Sequence, residues 1–395
     1  PASRTRPGLR ILIMQFSHER CCKRAGFATT PARTVLFIVL NTFVYATQHH
    51  SVNARVESGI HSHVEDTSLL TIMHQSVTAD DNIERLSSCG KYTVLRVPFA
   101  PNGDRNIADL LLVPQDAGSY PAVIFNHGTS LMATDYKDLL SHVASHGYIV
   151  MAPQIYNPLA VVTTSVKTEQ AKALATQVWV AQNISSCLPA GVSVDSSQGV
   201  FVAGHSRGGG VAYLTATERP HTAPAVAGYI GVDPVDTKLV PMFFLRKSAL
   251  KNSAVRARNS APPTWPSLVY GAGLGSQKPA CAPEGSNHAE FYSESTAPSW
   301  HVVADAAGHM DLLDDQLGWI SRTAMNVCKQ SKLQRSQVRP WLGGLIVAFL
   351  QDTVQRSSFS DPFVTGTSKQ SHVETFLNSS PSDLALFVER KQAAY

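Results

Sequence analysis

From residue 91 onward, apolar positions fall into short runs separated by segments of helical spacing. The first two runs, residues 92–99 and 107–114, flank Pro101-Asn102-Gly103-Asp104, a turn sequence of the kind that closes hairpins. An antiparallel pair is therefore expected to open the sheet. Beyond Pro121 the runs are continuous: residues 122–128, 148–156, 199–206, 225–234, 267–275 and 301–309. Between them, residues 136–146, 164–183 and 207–218 and stretches near 312–330 and 341–354 repeat at helical spacing. A strand that is apolar on both sides is covered on both faces. The pattern predicts an α/β domain with a mostly parallel central sheet and helices on each face.

Three regions break the rhythm. Residues 51–90 read as irregular or weakly helical. Residues 240–265 carry Phe243 and Phe244 ahead of a Lys-, Arg-, Ser- and Pro-rich stretch, as a small lid-like insertion would. Past residue 356 the chain turns Ser-rich with mixed charges, and a weakly ordered tail is expected over 357–395. The catalytic domain is accordingly placed at 51–356.

Charge is concentrated at one end. Seven basic residues and one acid put +6 on residues 1–50, and the remaining 26 basic and 28 acidic residues leave a nearly neutral body. Such a body has no electrostatic footprint for nucleic acid. Residues 34–46 are apolar but too few to span a bilayer, where about 20 residues are wanted. An Arg-rich leader followed by such a run reads as a targeting presequence over 1–50, cleaved after Ala46 or kept as an anchor. The body is then soluble or peripherally attached to a membrane. Cys89, Cys187, Cys281 and Cys328 lie outside the leader and allow up to two disulfides in any of three pairings. None has the spacing of a structural zinc site.

Candidate chemistry centres on Gly204-His205-Ser206-Arg207-Gly208, a G-x-S-x-G pattern with a strand run before it and a helical segment after it. A Ser hydroxyl is a poor nucleophile that needs a base. A strand-to-helix turn projects it freely, and the helix start offers N–H groups to an oxyanion. The acid and base should follow in that order. Of His221, His288, His301 and His309, the last stands in a loop after a buried run, where the base belongs. Asp233 ends the run after the elbow and is the first choice of acid, ahead of Asp236 and Glu284; Asp305 is too near His309 in sequence. The oxyanion hole would use the N–H groups of Arg207 and Thr129, with His127 and His205 orienting the loops.

Several blocks resemble the chlorophyllases of plants and algae: FNHGTSLMATDYKDLLSHVASHGYIVMAPQIY (125–156), GHSRGGG (204–210), YIGVDPV (229–235), CAPEGSNHAEFY (281–292) and ADAAGHMDLLDDQ (304–316). The resemblance spans roughly residues 91–355 and departs at Gly210, where the family often has Lys. It implies an α/β-hydrolase fold and cleavage of the phytyl ester of chlorophyll, with Ser206, Asp233 and His309 as triad. It needs no catalytic metal or cofactor, since the magnesium belongs to the substrate, and implies a chloroplast address, the secretory route being the alternative. Leu131, Met132, Phe243, Phe244 and Met310 are candidate walls of an apolar cleft. A general carboxylesterase or polyester hydrolase would share the triad and differ in the cleft. A non-catalytic pigment-binding protein would have no need to keep all three residues.

Overall fold

The computed structural model describes residues 79–98, 110–158, 165–197, 199–236, 263–358 and 371–392, all within one compact unit. The leader, the 101–104 turn and the insertion with Phe243 and Phe244 lie outside the described residues.

The strands are β1 (Val94–Val97), β2 (Leu110–Pro114), β3 (Gly118–Tyr120), β4 (Ala122–Asn126), β5 (Ile149–Ala152), β6 (Val192–Val194), β7 (Val200–His205), β8 (Val226–Val232), β9 (Ser267–Ala272), β10 (Ser299–Ala304) and β11 (Leu386–Lys391). Nine of them form one sheet in the order β1-β2-β5-β4-β7-β8-β9-β10-β11, and β3 pairs with β6 apart from it. From β5 to β10 all pairings are parallel, while β1, β2 and β11 join antiparallel.

The helices are α1 (Ala79–Ser87), α2 (Lys137–Ser145), α3 (Val166–Gln182), α4 (Arg207–Thr217), α5 (His288–Glu294), α6 (Trp319–Asn326), α7 (Arg335–Ser358) and α8 (His372–Asn378). Alternation along the strands explains the continuous apolar runs. Val123, Phe125, Phe201, Ala203, Ile230 and Val232 face the core built with α2, α7 and α8. Their neighbours Ala122, Ile124, Val200, Val202 and Tyr229 face Tyr213 of α4 and Phe291 of α5. The central strands β4, β7 and β8 thus bury both of their side-chain rows.

The expected weakly ordered tail is corrected. Its residues 371–392 form α8 and β11, and α8 packs on α1 and α7. Asp352 of α7 accepts from the N–H groups of His372 (2.8 Å) and Val373 (3.2 Å) and from the Ser371 hydroxyl, which itself caps the helix. Val373, Phe376 and Leu384 are buried, so three anchors in a Ser-rich stretch suffice to dock it. Phe376 fills the space over Gly344, where an added Cβ would meet its ring at 2.7 Å. Phe376→Ala is expected to cost about 3–5 kcal/mol, read by urea unfolding; a loss below about 1 kcal/mol would show that the tail adds little to the core.

Helix limits differ in two places. The 312–330 segment holds only α6, because residues 305–318 are spent in turns that carry His309. Helix α7 starts ahead of Pro340 rather than after it; near the helix start a proline removes only one ladder bond. Cys281, after β9, and Cys328, after α6, form a disulfide, and Cys187 is a free thiol.

Candidate active site

Ser206 stands between β7 and α4 with φ 54° and ψ −128°, a conformation an L-residue adopts only when its surroundings force it. The flanking glycines make the turn possible through close approach. A Cβ on Gly204 would lie 2.5 Å from the Gly208 backbone, and one on Gly208 would lie 2.3 Å from the Asn126 carbonyl oxygen. The Ser206 N–H donates to the Val232 carbonyl (3.1 Å), and the Val235 N–H donates to the Ser206 carbonyl (3.0 Å). These bonds fix the elbow against the end of β8.

Asp233 follows β8 directly, also in the left-handed region at φ 41°, and is fully buried. Its N–H donates to the Tyr270 carbonyl (2.7 Å). Its Oδ2 lies 2.6 Å from His309 Nδ1, while Oδ1 has no partner among the described residues. A carboxylate here is acceptor-only, so Nδ1 carries the proton and Nε2 keeps its lone pair. The loop behind the imidazole is held by Asp311, whose Oδ2 accepts from the Gly308 N–H at 2.7 Å. Burial raises the Asp311 pKa, and that hydrogen bond opposes the rise. Ser206 Oγ makes no hydrogen bond to His309 among the described residues. Such contacts are often long in the absence of substrate.

Of the other histidines after the elbow, His288 and His301 bond to each other at 2.8 Å, and His301 Nδ1 lies 2.9 Å from Glu389 Oε2. Asp236 donates its N–H to the Ser286 carbonyl (2.7 Å) on the way into the insertion.

The loop after β4 carries the other expected donor. Gly128, just before the half-buried Thr129, has its N–H on Tyr136 Oη (2.9 Å) and its carbonyl on His127 Nδ1 (2.9 Å) and the Tyr156 hydroxyl (3.2 Å). Burial lowers His127 to about 4, so the ring is neutral at pH 7. The Arg207 side chain turns inward. Its Nε and Nη2 form a fork on Glu169 of α3, at 2.9 and 2.5 Å, and its guanidinium lies over the Tyr156 ring. Its side chain is thus committed to Glu169 and Tyr156. Desolvation raises the Glu169 pKa and Arg207 opposes that rise. A buried pair of this kind is costly to break from one side.

The expected cleft walls fare unevenly. Leu131 is fully buried and Met310 nearly so, both inside the core beside α2 and α7, so they are core residues and not open walls. Met132 is half-buried. Among the described residues no trio of His, Cys, Asp or Glu is grouped to hold a metal ion.

Glu169, Tyr136, Gln154 and Tyr156 were not legible as site residues. Each acts on a partner distant along the chain, and although Tyr136, Gln154 and Tyr156 lie within the 125–156 block, nothing in that block marks which partner each meets.

A six-strand parallel run with helices on both faces, a G-x-S-x-G elbow after β7 and an Asp–His pair after β8 and β10 define an α/β hydrolase. Comparison with known proteins narrows the class. The chlorophyllase family model matches residues 89–373, and the chain belongs to the chlorophyllase family, a family of carboxylic ester hydrolases. It is 36% identical to chlorophyllase-1 of Arabidopsis thaliana over 254 residues, 60% of this chain and 73% of that protein. Chlorophyllase-2 of the same plant is 35% identical, over 61% of this chain and 76% of its own length. A Citrus unshiu chlorophyllase-1, whose name calls it chloroplastic, is 33% identical over 62% and 71% respectively.

Proposed function

We propose that the protein hydrolyses the phytyl ester of chlorophyll to chlorophyllide and phytol, through Ser206, His309 and Asp233. The observation that carries the reading is the 2.6 Å contact between Asp233 and His309 beside the Ser206 elbow, in a chain of this family.

His309 Nε2 takes the Ser206 proton as Oγ attacks the ester carbonyl, and Asp233 stabilises the imidazolium through Nδ1–H. The N–H groups of Thr129 and Arg207 receive the oxyanion. Collapse of the tetrahedral intermediate expels phytol, which takes the proton from Nε2, and leaves the chlorophyllide acyl group on Ser206. Water, deprotonated by the same imidazole, then attacks the acyl carbon. Chlorophyllide leaves, and the hydroxyl proton returns to Ser206.

The name of the Citrus relative and the Arg-rich leader support a chloroplast location. No helix among the described residues is long and apolar enough to cross a membrane.

The test is turnover of purified protein on chlorophyll, read as chlorophyllide by chromatography, beside turnover of p-nitrophenyl butyrate. Chlorophyllide formation is the expected result. Cleavage of the short ester with chlorophyll left intact would keep the hydrolase and overturn the pigment reading, in favour of a general carboxylesterase.

A further inference from the structure

Behind the site, buried polar groups form a chain of hydrogen bonds that can run in only one sense. His205 Nε2 lies 2.9 Å from the carbonyl oxygen of His309, which only accepts, so Nε2 carries a proton. The His205 ring is wholly buried, and burial together with the neighbouring His309 holds its pKa well below the usual range. It is neutral, and Nδ1 is an acceptor. Tyr136 Oη, 2.8 Å from that Nδ1, therefore donates to it. Burial holds the Tyr136 pKa well above the usual phenol value, so the hydroxyl has that proton to give. Its oxygen accepts from the Gly128 N–H at 2.9 Å.

The chain thus runs from Gly128 through Tyr136 and His205 to the backbone of His309. At its Gly128 end the next peptide, Gly128–Thr129, is pinned through the Gly128 carbonyl by His127 and Tyr156. His127 is fixed in turn, because its Nε2 accepts from the Ile155 N–H and from Gln154 Nε2, both at 3.1 Å. There is no slack at Gly128: a Cβ there would come within 2.9 Å of His205 Nδ1 and 3.2 Å of Tyr136 Oη.

We infer that Tyr136 and His205 are positioning residues that hold the His127–Gly128 peptide, directly ahead of the peptide that carries the Thr129 N–H, and the His309 loop at a fixed spacing, so that the oxyanion donor and the base act on one carbonyl. This rests on the triad reading above. Neither residue touches substrate; each acts through a backbone group beside one that does. Fixed spacing matters most when charge develops, so its loss should appear in kcat and in transition-state affinity, with ground-state binding spared.

The test uses Tyr136→Phe, which removes one oxygen and keeps the ring that packs on Phe125. On p-nitrophenyl butyrate, kcat is expected to fall about 10- to 100-fold with KM within about twofold. Affinity for a trifluoromethyl ketone, which forms a tetrahedral adduct on the nucleophile, should fall by the same factor as kcat/KM. A variant with a lowered Tm but kcat and ketone affinity within about twofold of the parent would overturn the inference and leave a purely structural network. If Tyr136→Phe does not fold, His205→Gln is read by the same criteria. Ser206→Ala separates the two levels. Undiminished turnover in it would remove the triad reading itself, whereas loss there with unchanged kcat in Tyr136→Phe would remove only the positioning role.

Discussion

Ester turnover by Ser206→Ala is expected to fall by about 10⁶-fold, to background in practice, and by Asp233→Asn about 10⁴-fold. The grading follows from the bonds. Without Oγ there is no nucleophile to acylate, and only binding and the oxyanion donors remain. In Asp233→Asn the new amide keeps the volume of the buried carboxylate. If it turns its nitrogen to His309 Nδ1, that ring nitrogen becomes an acceptor and the proton moves to Nε2, where the lone pair was needed. If it turns its oxygen there, the tautomer survives, but the imidazolium loses a charge partner 2.6 Å away. Substrate binding does not draw on the carboxylate, so KM should hardly move. The measurement is initial rate against substrate for the three proteins, with acyl-enzyme trapping by mass spectrometry. Equal losses in the two variants would contradict the separate roles, and an Asp233→Asn enzyme within about tenfold of the parent would remove Asp233 from the reaction.

Removing the Cys281–Cys328 bond is expected to cost about 4 kcal/mol in the chain-entropy account, given the 47-residue separation it closes. The consequence reaches the site. The N–H groups of Cys281 and Ala282 both bond the Gly275 carbonyl, and a Cβ on Gly275 would come within 2.7 Å of Asp233 Oδ2. On the other side, the Lys329 N–H bonds the Pro279 carbonyl (2.9 Å), and Gly308, next to His309, packs against the Lys329 carbonyl. The bridge therefore ties the wall behind the acid to the wall behind the base. A Cys281→Ser, Cys328→Ser variant should unfold about 5–8 °C lower than the parent. The parent treated with a phosphine reductant, which also opens the disulfide of Cys89, should fall at least as far, and calorimetry in both states checks this. A variant within about 2 °C of the parent would show that noncovalent packing alone holds these loops.

Much of this architecture was legible because burial on two faces leaves an unmistakable run. Residues 122–125 and 200–204 are apolar throughout since Ala122 and Val123, or Val202 and Ala203, serve opposite cores. The elbow was legible for a different reason: its glycines answer a steric demand that no other residue meets. What stayed hidden was of two kinds. Strand β11 exposes most of its side chains, so a composition rich in charge and Ser around it conceals the pairing with β10. The polar supports Glu169 and Tyr136 sit on a helix and in a short turn. Their partners Arg207 and His205 lie 38 and 69 residues on, beyond any local pattern. Leu131 and Met310 flank site residues along the chain, yet their side chains turn into the core. Adjacency in sequence to a reactive group says little about which way a side chain points.

Strand β11 also governs how the molecule meets copies of itself. Without it, the hydrophobic strand β10 would end the sheet with a row of backbone donors and acceptors open to any extended chain. The strand that covers that row carries Glu389, Arg390 and Lys391, and their side chains engage His301, Glu374 and the carbonyls around Ser293. A neighbouring strand seeking to extend the sheet meets charge at alternate and adjacent positions, with the long side chains already tethered. Strand β11 thus replaces the bare edge of β10 with one on which these tethered charges stand beside the exposed Phe387 and Val388. Losing it would be felt first as aggregation in concentrated solution, and only later as lost catalysis.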